Sequence, residues 1–160
     1  MRFIAEWAAN EGRSLIYLHP QVLETFEAHV QTKSDDLEAG GLLLGYVRGP
    51  HLEITEATHP TKFDRRLKYL FERMQELHAS IAQMRWSESQ GKIRYLGEWH
   101  THPEDCPSPS AIDLHEWRVL AKKRRDGRPV LAVIVGRHGL YVECTHTRGP
   151  SVRYESIKNS

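Results

Sequence analysis

Phe3, Ala5 and Trp7 alternate with polar positions, and so do Leu15 and Tyr17, with Asn10-Glu11-Gly12 between the two runs. Alternation of this kind belongs to strands with one buried face, so the spacing predicts an N-terminal hairpin with Leu15 and Tyr17 as the apolar members of its second strand. Pro20 suits the first turn of a helix, and Val22, Leu23, Phe26 and Val30 follow at helical spacing. That helix should end between 31 and 34. The stretch from Glu38 to Val47, with Gly40, Gly41 and the run Leu42-Leu43-Leu44, reads as a buried strand entered through glycines. Arg48-Gly49-Pro50 is a turn, and Leu52, Ile54 and Ala57 mark a second strand over 51–58.

Residues 59–66 read as a polar loop. Leu67, Leu70, Phe71, Met74, Leu77, Ile81 and Met84 then recur at three and four residues, which predicts a long amphipathic helix packing its Met and Phe stripe into the core. A strand over 93–99 runs straight into His100. Residues 103–109 hold three prolines and form a loop. A helix follows from Ser110 to about Arg125. Val130 to Val135 is a strongly apolar strand, Arg137-His138-Gly139 a tight turn, and Leu140 to Cys144 its partner. The tally is about seven strands and about three helices, which favours an α/β or α+β sandwich on one mixed sheet. With no repeat and no linker, residues 1–160 are expected to form a single domain.

Composition adds bounds rather than function. The net charge of +1 gives no reason to expect a nucleic-acid or membrane partner. Cys106 and Cys144 are the only cysteines, too few for a disulfide framework, and the N-terminus lacks an apolar signal-peptide region. A cytoplasmic location is the expectation. Histidine is enriched, with ten copies where average usage gives roughly three or four.

Two of those histidines carry the candidate chemistry. His100-Thr101-His102-Pro103 is followed by Ser110 and Asp113. Alternate side chains of an extended segment share a face, so His100 and His102 can reach one ion. Asp113, in the first turn of the next helix, can supply an oxygen ligand. Three such ligands suit zinc, with Mn²⁺ or Fe²⁺ also compatible by ligand type, and leave a position open for water. A base outside the metal shell is then needed. Glu38 is the candidate, with Glu98, Glu104 and Asp105 as acidic alternatives. Ser110 can donate to a developing oxyanion, but Ser110-Ala-Ile-Asp113 is equally a helix-capping sequence.

The pattern resembles the JAMM motif of the JAB/MPN metalloproteases, an upstream Glu followed by H-x-H-x7-S-x2-D, matched here by Glu38, His100, His102, Ser110 and Asp113. Glu38-Ala-Gly-Gly-Leu-Leu-Leu-Gly45 resembles the family segment E-x-G-G-x-L-x-G. The resemblance covers most of the chain and implies a JAB/MPN-like sandwich and a zinc-dependent peptidase or isopeptidase with one zinc per chain. It implies His100, His102 and Asp113 as zinc ligands, Glu38 as general acid/base and Ser110 as a stabiliser of the tetrahedral intermediate. The implied partner is a protein with an extended C-terminal tail, either ubiquitin-like or a conjugated cyclic-nucleotide synthase. The residues from Gly97 to Asp113 are most similar to small bacterial JAB proteins, some encoded in CBASS anti-phage operons. Two other readings stay open: a zinc-stabilised tail-binding module without turnover, and a peptidase trimming a sulfur-carrier-like precursor.

Smaller features have plain readings. Cys106 can in principle close the metal site, but the motif is complete without it. Lys122-Lys123-Arg124-Arg125 reads as solvated cations at a helix C-terminus. Asp64-Arg65-Arg66 reads as a surface loop, His115 as lying off the ligand face, and Trp99 as core. The remaining histidines, His78 among them, show no ligand spacing.

Overall fold

The structure is a computed structural model that describes residues 3–61, 64–67, 70–72 and 75–157. In chain order its elements are β1 (Glu6–Ala9), β2 (Ser14–Leu18), α1 (Pro20–Ala28), β3 (Gly40–Arg48), β4 (His51–Ala57), β5 (Arg65–Leu67), β6 (Leu70–Glu72), α2 (Gln75–Glu88), β7 (Arg94–Thr101), α3 (Ala111–Lys123), β8 (Val130–Val135), β9 (Leu140–Thr145) and β10 (Val152–Ser156). Eight strands close into a mixed barrel in the order β1-β10-β9-β8-β7-β3-β4-β2, and β5 and β6 form a separate two-stranded sheet. The pairs β2·β4 and β7·β8 are parallel and the rest are antiparallel.

The α/β class, the mixed sheet and the three helices of the described residues agree with the sequence. The open sandwich of about seven strands does not. The sheet is closed, because β1 pairs with β10, through Trp7 opposite Ser156 and Ala8 opposite Glu155. Closure removes two strand edges that an open sheet must protect.

The N-terminal hairpin forms, but with the other face inward. Ile16 and Leu18 are buried, whereas Leu15 and Tyr17 are exposed. Leu15-Ile16-Tyr17-Leu18 is apolar at every position, so local alternation does not set its phase. Pairing does, by placing Ile16 opposite the buried Trp7. The helix α1 stops at Ala28, earlier than its apolar spacing suggests, and lays Val22, Leu23 and Phe26 on the core.

The long helix expected from Leu67 is the largest correction. Residues 65–72 contain the β5–β6 hairpin, and α2 starts only at Gln75; Met74 lies outside the described residues. A spacing of three or four also arises between antiparallel strands, where Leu67 pairs with Leu70 and Arg66 with Phe71. Asp64-Arg65-Arg66 is accordingly no plain loop: Asp64 is buried and the two arginines belong to β5. On α2 itself Met84 is 51% exposed, so the expected apolar stripe is not core at that position. Among the described side chains of α2, His78 is fully buried.

β8 is buried at all six positions because both its faces are covered. Leu131, Val133 and Val135 belong to the main core, and Ala132 and Ile134 pack with Trp117 of α3. The helix α3 is thus the crossover between the parallel strands β7 and β8, a connection such strands require. The candidate ligands lie where this connection begins, at the end of β7 and in the first turn of α3.

Candidate functional site

Alternation along β7 buries Trp99 and Thr101 and turns Glu98 and His100 the other way. His100 is paired with Gly40 on one side and Ile134 on the other. His102 lies just past the strand, held by its N–H donating to the Val135 carbonyl at 3.0 Å. The proline-rich loop then returns the chain to α3. It is pinned at its far side, where the Arg137 and His138 N–H groups donate to the Glu104 and Asp105 carbonyls. Gly136 permits that approach, since a Cβ there would lie 2.5 Å from Pro107 Cδ and 2.8 Å from the Glu104 carbonyl oxygen.

Ser110 caps α3. Its Oγ accepts from Asp113 N at 3.1 Å, and its own N–H donates to Asp113 Oδ2 at 2.9 Å. The capping reading of this segment therefore holds in full. The same cap aims the Asp113 carboxylate at the histidines. Asp113 Oδ1 lies 3.3 Å from His100 Nε2, and Oδ2 lies 3.2 Å from His102 Nε2. The two Nε2 atoms are 3.0 Å apart. Ligands about 2.0–2.1 Å from a tetrahedral zinc stand about 3.3 Å from one another, so these spacings and this donor set fit one ion. Among the described residues this is the group of three whose ligand atoms converge, all within 4.8 Å.

Glu38 arrives from the segment just before β3. Its Oε1 lies 3.9 Å from His102 Nε2, and the residue is 5% exposed. Close strand packing brings it there: a Cβ on Gly41 would stand 2.2 Å from the Thr58 carbonyl oxygen, so no other residue lets β3 approach. Burial is the main influence on the Glu38 carboxyl and pushes it up to about 8; His102 pulls it down and Asp113 pushes it up. Burial also pushes Asp113 upward, but hydrogen bonds from His100 and His102 outweigh it and hold that carboxyl well below its ordinary range. At His102 burial acts downward, yet contacts with the Asp113 and Glu104 carboxylates leave the imidazole above its usual value.

The acidic alternatives to Glu38 have other roles. Glu104 Oε1 accepts from His102 Nδ1 at 2.8 Å, which fixes the ring so that Nε2 faces the cluster. Asp105 pairs with Arg137 at 3.2 Å, and Glu98 accepts from the Tyr95 hydroxyl at 3.4 Å. Cys106 is exposed and stands outside the converging group, as does His115, also exposed. Trp99 is core as expected, with its Nε1 donating to the Thr58 carbonyl at 3.0 Å. Arg124 departs from expectation. Its side chain is only 8% exposed and donates to the Tyr95 and Pro129 carbonyls at 3.1 and 3.0 Å, which ties the end of α3 to β7 instead of lying in solvent.

Sequence reasoning passed over two buried networks. In one, His78 joins Asp64 at 2.9 Å and the Thr58 hydroxyl at 2.8 Å, linking α2 to the root of the β5–β6 hairpin and to β4. In the other, Thr101 bonds Ala39 and Gln31. Only the second left a signal, a hydroxyl residue between two histidines that must face the opposite way.

A profile of the family described as prokaryotic homologues of the JAB domain matches residues 19–148. The chain belongs to that family. Its relatives include a Pseudomonas aeruginosa protein, 57% identical over 99% of this chain and 100% of the relative, described as a CD-NTase/cGAS isopeptidase. Proteins of the same description from Escherichia coli and Vibrio cholerae are 36% and 33% identical, over 79% and 83% of this chain and 80% and 83% of their own lengths. A solution structure of a Desulfitobacterium hafniense protein shares the fold, with a TM-score of 0.60 at 20% identity, covering 89% of this chain and 91% of that one.

Proposed function

We propose that this protein is a zinc-dependent isopeptidase of the JAMM type that releases a conjugated protein from a bond made through its C-terminal tail. The observation that carries the reading is the convergence of His100, His102 and Asp113, with the buried Glu38 carboxylate 3.9 Å from one ligand nitrogen. The descriptions of the relatives supply the substrate class, a CD-NTase/cGAS conjugate, and the resemblance of residues 97–113 to JAB proteins of CBASS operons suggests the anti-phage role proposed with it. The proposal treats 1–160 as one peptidase domain, because β1 and β10, outside the family match, pair with each other and close the barrel. No helix among the described residues is long and apolar enough to cross a membrane. The proposed setting is the cytoplasm, whose reducing conditions suit the free Cys106 and Cys144.

His100, His102 and Asp113 would hold one zinc, and Glu104 would keep His102 in the ligating tautomer. Zinc there would supply Lewis acidity, polarising the scissile carbonyl and making water acidic near neutral pH. Glu38 takes the proton from the attacking water and returns it to the leaving amine. Its carboxyl, raised by burial toward the working pH, can both accept and release a proton in that range. The exposed Ser110 hydroxyl accepts from Asp113 N and still has its own proton to donate to the developing oxyanion.

Cleavage of purified conjugates tests the reading. Wild-type protein should release a synthase from its C-terminal conjugate, and a zinc chelator should stop it. Cleavage that survives complete zinc removal would contradict the proposal. Stable binding of the tail with no cleavage at all would support the non-catalytic module instead.

A further inference from the structure

Thr101 lies between the two candidate histidine ligands but points the opposite way, and it is fully buried. Its Oγ1 accepts a hydrogen bond from Ala39 N at 2.9 Å and donates one to Gln31 Oε1 at 2.8 Å. Its backbone N–H donates to the Ala39 carbonyl, also at 2.9 Å. Gln31 is 1% exposed. Its Nε2 donates to the Asp36 carbonyl at 3.1 Å, which orients the amide so that Oε1 faces Thr101. The Gln31 carbonyl accepts from Arg137 Nε at 3.1 Å, on the turn that pins the Glu104 loop.

A hydroxyl has one proton to give, and an amide oxygen can only accept. Gln31 therefore takes the Thr101 proton, which leaves a hydroxyl lone pair aimed at Ala39 N. That N–H belongs to the peptide unit joining Glu38 to Ala39. One side of the network thus holds the backbone directly behind Glu38. The other side is built into the residue between His100 and His102.

We propose that Gln31 is a positioning residue that, through the Thr101 hydroxyl and the Ala39 amide, fixes Glu38 relative to the His100/His102/Asp113 cluster. It touches neither the ligands nor the substrate. Without the Gln31 acceptor the hydroxyl is free to turn, the Ala39 amide loses its fixed partner, and Glu38 gains freedom that the ligands do not share. The kinetic consequence rests on the isopeptidase reading, whereas the structural claim does not.

Gln31→Leu and Thr101→Val, each made in the full chain, test this. In both, zinc should stay at one per chain. Exchange of the Ala39 amide should quicken about tenfold, the effect of losing one hydrogen bond, while amides of β8 keep their wild-type rates. For cleavage, kcat should fall by about tenfold to a hundredfold, as for a misplaced catalytic group, with KM unchanged. The double variant should be no worse than Thr101→Val alone. Wild-type Ala39 exchange in both variants overturns the proposal, whether or not the protein proves to be an isopeptidase. Unchanged kcat in an otherwise active enzyme also overturns it, as does zinc loss that accounts for the lost activity. If Gln31→Leu does not fold, Thr101→Val, which keeps the β-branched shape, carries the test.

Discussion

Asp113 answers to two neighbours at once, the cap at Ser110 and the imidazoles of His100 and His102. The sequence therefore supported a capping reading and a ligand reading, and both describe the same carboxylate. Ser110 has the same double character, and its two roles can be separated by substitution. Ser110→Gly should cost only a few tenths of a kcal/mol, because glycine is a tolerable N-cap, whereas Ser110→Ala should cost about 1 kcal/mol. Both should lose kcat by about 10²–10³ if the hydroxyl serves the oxyanion. Thermal melts set beside cleavage rates check this, and an active Ser110→Gly would leave the serine as a cap alone. Glu104 was legible only as an acid on a loop; its bond to His102 Nδ1 depends on where the turn at Arg137 holds that loop. Glu104→Ala should weaken zinc affinity about 10–100-fold, measured by competition with a chelator.

Among the elements, β3, β7, α3 and β8 were legible because each carries a strong local pattern and a clear terminator. The β5–β6 hairpin was not. Its apolar spacing fits a helix as well as two paired strands, and what distinguishes them is pairing. The buried Asp64–His78–Thr58 network holds that region to the barrel, and it joins residues from three separate segments, so no local pattern announces it. His78→Leu would remove one buried partner of the Asp64 carboxylate, which keeps the bond from the Thr61 N–H. The expected destabilisation is about 1.5–3 kcal/mol, the range for a hydrogen bond to a charged group. Denaturant unfolding measures it, and a loss below about 1 kcal/mol, the level of an exposed pair, would mean that the network carries little of the fold.

Across the whole molecule, closure is the feature that sequence patterns could not reach. The β1–β10 pair joins segments far apart in the sequence, and β10 is a short strand that no sequence pattern sets apart. The family match also stops short of both strands. Removal of residues 150–160 should leave β1 and β9 as open edges, lower the melting temperature and promote association. Calorimetry and sedimentation check this; an unchanged melt of a monomer would show that closure is dispensable. The closed frame is what holds Glu38, on one side of the β3–β7 pair, against ligands delivered by β7 and α3. The central claim is that these groups divide the work, with the cluster holding the metal and Glu38 moving the proton. Zinc content and conjugate cleavage measured together on Glu38→Ala test it most directly. Glu38→Ala should keep one zinc per chain and lose turnover; a variant that cleaves at the wild-type rate would contradict this division of roles.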